Sequence, residues 1–184
     1  QDQAIYVRVL LPTVNYIKTN QNKWSQSINL NASSWKNEKG FKQVLSHFTN
    51  QTYFLIDSRT KRENADFNIN PFANDGLLGL DLNIKNSLFF NRGLQKFSMV
   101  YSYLDFRKKT IFSFGDQDVS QKTHQLQFIH KLGSFWLLHA EAGLGANSSQ
   151  SNSYANRNYQ LNSYTVQPKI SYLYNKNTRL EVFY

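Results

Sequence analysis

The strongest constraint in this chain is a rhythm of turns separated by long stretches of alternating apolar and polar residues. Short turn signals fall at Thr19–Asn22, Lys61–Asn64, Asn91–Gly93, Leu132–Ser134 and Asn175–Thr178. Longer polar connections stand opposite them, the clearest at Gly145–Asn158. Alternation with period two gives a strand one apolar and one polar face. Short turns at one end and long loops at the other predict an all-β fold: an antiparallel up-and-down transmembrane β-barrel.

The alternation is clearest in seven places. Trp24, Ile28, Leu30 and Ala32 oppose Ser25, Ser27, Asn29 and Asn31. Leu78, Leu80, Leu82 and Ile84 oppose Gly79, Asp81, Asn83 and Lys85. Phe97, Met99, Tyr101 and Tyr103 follow, against Lys96, Ser98 and Ser102. Leu126 and Phe128 oppose Gln125 and Gln127, and Trp136 and Leu138 oppose His139 and Glu141. Tyr164, Val166, Pro168, Ile170 and Tyr172 oppose Thr165, Gln167, Lys169 and Ser171, and Leu180 and Val182 oppose Arg179 and Glu181. The lipid-facing set is therefore Trp24, Ile28, Leu30, Leu80, Leu82, Phe97, Met99, Tyr101, Tyr103, Leu126, Phe128, Trp136, Leu138, Tyr164, Val166, Ile170, Tyr172, Leu180 and Val182. Pro168 removes a ladder donor, which predicts a bulge or locally broken pairing there.

These patterns give about ten strands, at 4–18, 23–32, 50–60, 65–70, 77–90, 94–114, 119–131, 135–145, 159–174 and 178–184. The strand at 65–70 is needed to keep short and long connections at opposite ends. Several segments exceed ten residues, whereas strands of soluble proteins average ~5–6 and a membrane strand needs ~9–11. The 184 residues suffice for one domain, either a whole small barrel or an arc of a larger one. Gln1 stands where an initiator Met is expected, which fits a removed leader or a piece of a longer protein. The short last segment, 178–184, points to truncation.

One stretch breaks the period. Within the insertion at 33–49, Phe41, Val44, Leu45 and Phe48 recur at helical spacing. A short helix is expected there, packing its own apolar side as a small cap; a membrane-surface helix is the alternative.

Composition limits the partners. Mean hydropathy is −0.56, and no stretch approaches the ~20 apolar residues of a membrane helix. A barrel needs only every second residue to be apolar, so it stays open. The net charge of +9 fits dispersed surface charge or attraction to anionic headgroups. No nucleic-acid motif accompanies it, so nucleic acid is not an expected partner. Cysteine is absent, which removes disulfides and thiolate metal sites.

Aromatics gather beside the short turns. Tyr16 and Trp24 flank the first, Phe90 and Phe97 the third; Trp136 follows the fourth, and Tyr172 and Tyr174 precede the fifth. A second set, Tyr103 and Tyr164, lies further along the same faces. At ~3.3 Å per residue and a tilt near ~40°, the two sets stand roughly 15–20 Å apart in depth. Rings with polar edges favour the headgroup boundary. Aromatic packing in a soluble sandwich explains the alternation equally well, but not this placement.

Catalytic chemistry is not expected, nor a cofactor or metal. His47, His124, His130 and His139 form no ligand-spaced pair, and Asp116-Gln117-Asp118 reads as a polar turn. Gly143-Leu144-Gly145 lacks the rest of a dinucleotide loop. No sequence feature assembles a nucleophile with a base.

Asn86-Ser-Leu-Phe-Phe-Asn-Arg-Gly93, His124-Gln-Leu-Gln-Phe128 and Gln167-Pro-Lys-Ile-Ser-Tyr172 resemble barrel segments of large outer-membrane proteins of the Bacteroidota, over about residues 50–184. The resemblance implies a bacterial outer-membrane location. It also implies membership of a transport or secretion complex, such as a type IX secretion assembly or a nutrient-uptake system. The expected function is thus a pore, transporter or scaffold subunit, with outer-membrane lipid and other subunits as partners. The rival is a secreted all-β binding module, an adhesin or sugar-binding sandwich that recognises through Gly145–Asn158.

Overall fold

The alternating segments pair with their sequence neighbours into one sheet. The computed structural model describes residues 17–62, 69–72, 75–93, 96–112, 115–173 and 179–183. Eight strands run up and down in sequence order: β1 Thr19–Asn31, β2 Phe48–Lys61, β3 Leu77–Phe90, β4 Phe97–Phe112, β5 Gly115–Leu132, β6 Trp136–Ser151, β7 Tyr159–Leu173 and β8 Arg179–Phe183. Every pair is antiparallel, and β1 and β8 do not pair with each other, so the sheet is open. No second sheet packs on it among the described residues, so they form no sandwich.

β2 to β7 are 14 to 18 residues long, well above the ~5–6 of ordinary strands. A single layer offers little interior. Among the described residues Ile56, at 2 % exposure, is the one buried apolar side chain, while Asn20, Ser58, Asp105 and Ser171 are buried and polar. This inverts a soluble core, where apolar side chains are the buried ones.

Several expected boundaries move. Thr19–Asn22 is no turn but the start of β1, paired with Lys61 to Ser58. Gly115 to Asp118 likewise begins β5; Phe112 pairs with Gly115, leaving two residues between β4 and β5. β6 continues to Ser151, so the loop expected at Gly145–Asn158 shrinks to 152–158, with one 3-10 turn at Ala155–Arg157. A polar loop and a strand outlasting its apolar section read alike, because Asn and Ser suit both.

The expected strand at 65–70 lies largely outside the described residues, and β2 pairs directly with β3. Residues 69 and 70 carry no strand, and 63–68 lie outside the described residues. The strand expected at 4–18 also lies outside them, except for residues 17 and 18, which are not in a strand. Parity changes as a result. The Asn91 N–H donates to the His47 carbonyl at 2.8 Å. The connection 32–47 therefore sits at the end of the sheet where β3 ends and β4 begins, β5 ends and β6 begins, and β7 ends and β8 begins. At the opposite end β2 gives way to β3, β4 to β5 and β6 to β7. Long and short connections are not segregated as expected.

Turn chemistry explains the tight reversals. Leu132 pairs with Trp136 across three residues, and Gly133 takes φ +65°, which glycine adopts without steric cost. At the β3–β4 turn Asn91 (φ 52°) and Gly93 (φ 80°) do the same. Pro168 causes no break: the ladder to β6 runs unshifted through Ala140↔Pro168. Pairing to β8 begins only at Lys169, and proline is tolerated where its missing N–H faces such an unpaired edge. The one register shift among the described residues lies at Arg59/Thr60.

Candidate functional site

The candidate site is the pair of sheet faces. Directly opposed residues share a face, so the register tests the face assignments. One cross-strand row runs Ile28, Thr52, Asn86, Tyr103, His124, Leu144, Tyr164. The next two runs are Leu30, Asn50, Leu88, Tyr101, Leu126, Ala142, Val166 and, from β2, Phe48, Phe90, Met99, Phe128, Ala140, Pro168. Leu138, Ile170 and Val182 form another row with Phe97 and His130, and Trp136, Tyr172 and Leu180 a last one. All nineteen residues selected by alternation therefore lie on one face.

That face is apolar only over part of its length. On β4 it runs Phe97, Met99, Tyr101, Tyr103 and then Asp105, Arg107, Lys109; on β7 it changes from Tyr164 to Asn162. The lower edge of the apolar band lies at the row of Trp24 and Ile56 on β1 and β2, at Leu80 on β3, and on the single row of Tyr103, His124, Leu144 and Tyr164 from β4 to β7. The upper edge climbs, from Leu30 on β1 to Trp136 on β6 and Tyr172 on β7, by about one residue per strand. With ~3.3 Å rise per residue and ~4.8 Å between strands, this upper edge slants by roughly 35° to the hydrogen-bonded rows.

Rings mark the upper edge. Phe48, Phe90, Phe97 and Phe128 stack in sequence at centroid distances of 5.0, 5.7 and 5.3 Å, and Trp136 meets Tyr172 at 4.8 Å. Tyr103 and Tyr164 share the lower row, where Tyr103 packs on His124 at 4.8 Å. Trp24 departs from expectation: it lies toward the far end, against Phe54 at 5.6 Å, because β1 starts at Thr19. Tyr16 and Tyr174 lie outside the described residues.

Below the band the charges pair. Asp105 holds Arg107 at 3.2 Å and accepts a hydrogen bond from the Tyr103 hydroxyl at 3.3 Å. Inside the band one polar cluster stands, made of Asn50, Thr52 and Asn86. Alternation missed it, since each amide falls singly within its own strand.

The opposite face is mostly polar, with Leu55, Val100, Leu104, Phe106 and Ile129 interspersed. Its middle rows carry Ser25, Ser27, Asn29, Gln51, Ser87, Ser102, Thr123, Gln125 and Thr165. Glu141 accepts from Gln125 and from Gln127, and Lys169 pairs with Glu181 at 2.7 Å. Toward the far end Asp57, Arg59, Gly79, Asp81 and Lys108 line a shallow cavity of about 540 Å³. It holds both charge signs and no nucleophile-base arrangement.

Histidines stay separate: His124 and His130 share the apolar face, His139 lies on the polar face and His47 in the connection before β2. No group of three metal-ligating side chains exists among the described residues. No helix among them is long and apolar enough to cross a membrane, which leaves a β-barrel untouched. Searches against protein-family models, curated proteins and solved structures found no match to this chain.

Proposed function

We propose that this chain is part of a bacterial outer-membrane β-barrel, acting as a pore, transporter or scaffold subunit of a transport or secretion complex. The observation that carries the reading is a continuous apolar face on long strands, with an upper edge that climbs about one residue per strand. Barrel strands tilt by ~35–45°, so a flat hydrocarbon slab must cross the hydrogen-bonded rows obliquely. The climbing upper edge fits tilted strands in a level bilayer.

Its height is of the same order. The band spans Phe97 to Tyr103 on β4, Tyr164 to Tyr172 on β7 and Leu80 to Phe90 on β3. At a tilt of roughly 35° that is about 16–27 Å, against ~25 Å for a barrel's apolar belt. The polar face would line the lumen with hydroxyls and amides. The open edges of β1 and β8 cannot face hydrocarbon with unpaired backbone groups. Further strands, from the same protein or another subunit, therefore complete the wall. The likeness to Bacteroidota barrel segments supports the same reading, with outer-membrane lipid and complex subunits as partners.

The test is solubility and heat modifiability. The purified chain should need detergent and migrate differently on a denaturing gel before and after boiling. A monodisperse chain without detergent overturns the reading.

A further inference from the structure

We infer that the connection between β1 and β2 is a membrane-surface anchor that binds anionic phospholipid headgroups; the inference rests on the barrel reading. The connection holds a 3-10 helix at Ser33–Asn37 and α1 at Phe41–Leu45, neither with a buried residue. Trp35, Phe41 and Val44 are 41 %, 75 % and 54 % exposed. The expected self-packed cap is therefore not formed: two of the apolar residues at helical spacing point into open space. Phe41 and Val44 stand three apart, on one side of α1.

Three observations identify the occupant. Lys36, Lys39 and Lys42 interleave with these apolar residues, against Glu38 alone. Cations around an exposed apolar side are the chemistry of a segment lying in an anionic interface. The segment also emerges at the upper edge of the apolar band, where Leu30, one residue before the end of β1, is 62 % exposed. Finally, it is tied to that edge. His47 Nδ1 lies 2.6 Å from Asn91 Oδ1, and the His47 ring lies 6.0 Å from Phe90, a member of the ring row. The anchor thus continues the apolar face at headgroup depth, where Trp and Lys serve as interfacial residues.

The test uses two full-length single-tryptophan chains in anionic phosphatidylglycerol vesicles containing headgroup-depth quencher lipid. One retains Trp35 (W24F, W136F) and the other Trp136 (W24F, W35F). Both emissions should be lost to the lipid quencher. Trp35 quenching should weaken in purely zwitterionic vesicles, and in F41S/V44S or K36Q/K39Q/K42Q, while Trp136 stays quenched. Trp136 quenched with Trp35 open to aqueous iodide overturns the anchor alone, and the surface then suits a soluble protein. Neither residue quenched overturns the anchor together with the barrel reading.

Discussion

Asn50 and Asn86 bind each other reciprocally: Asn50 Nδ2 donates to Asn86 Oδ1 at 3.3 Å, and Asn86 Nδ2 donates to Asn50 Oδ1 at 3.2 Å. Thr52 closes the group, donating to Asn50 at 2.8 Å and accepting from Asn86 at 2.7 Å. Four hydrogen bonds among three side chains satisfy most of their polar atoms. That is how polar groups persist within an apolar face, where an unpaired amide is costly.

This arrangement predicts a sign change between single and joint replacement. Asn86→Leu should destabilise by about 1–3 kcal/mol, because it strands the Asn50 Nδ2 donor and removes the N–H that the Asn50 and Thr52 oxygens accept from. Replacing all three (N50L, T52V, N86L) should recover most of the loss. Urea unfolding in lipid or detergent micelles measures both. A triple variant weaker than the single one contradicts the account.

Face identity predicts where an arginine is tolerated. Leu138→Arg and Ile170→Arg, directly paired on the apolar face two residues inside the Trp136 and Tyr172 edge, should impair membrane assembly, each costing less than the ~2–4 kcal/mol of a midplane arginine. Gln127→Arg, on the polar face, should assemble normally. The readout is the heat-modifiable fraction. Normal assembly of the two apolar-face variants would reverse the assignment of faces.

The β5–β6 hairpin predicts a backbone effect. Gly133 holds φ +65°, and a side chain added there would meet open space, so a substitution is limited by conformation and not by packing. Gly133→Val should cost about 1–2 kcal/mol, and Gly133→Asn less, since Asn visits that region more readily. Thermal unfolding of the two variants should rank in that order.

The last strand depends on few contacts. β8 is five residues long, and Lys169 meets Glu181 across its ladder at 2.7 Å with both side chains about a third exposed. Glu181→Ala should lower global stability by less than about 1 kcal/mol, as partly solvated ion pairs do. Amide exchange should rise selectively in β8, with β5 and β6 unchanged.

The sequence by itself determined that the chain is all-β, roughly where eight of its strands run, and which residues share a face. Alternation is a local property: a side chain's face follows from its parity, so Leu126 and Val166 could be assigned together before their row was known. It also set the Gly133 and Gly93 turns, because left-handed backbone selects glycine locally. Tertiary structure alone decided what depends on pairing between distant residues. Thr19–Asn22 and Asp116-Gln117-Asp118 carry turn-like residues yet extend strands, because partners at Lys61 and Thr110 lie within reach. The Asn50–Asn86 pair and the slant of the apolar band's upper edge are relations between strands, invisible to any single segment. Parity of the connections failed for the same reason: it counts strands, and β2 pairs with β3 directly.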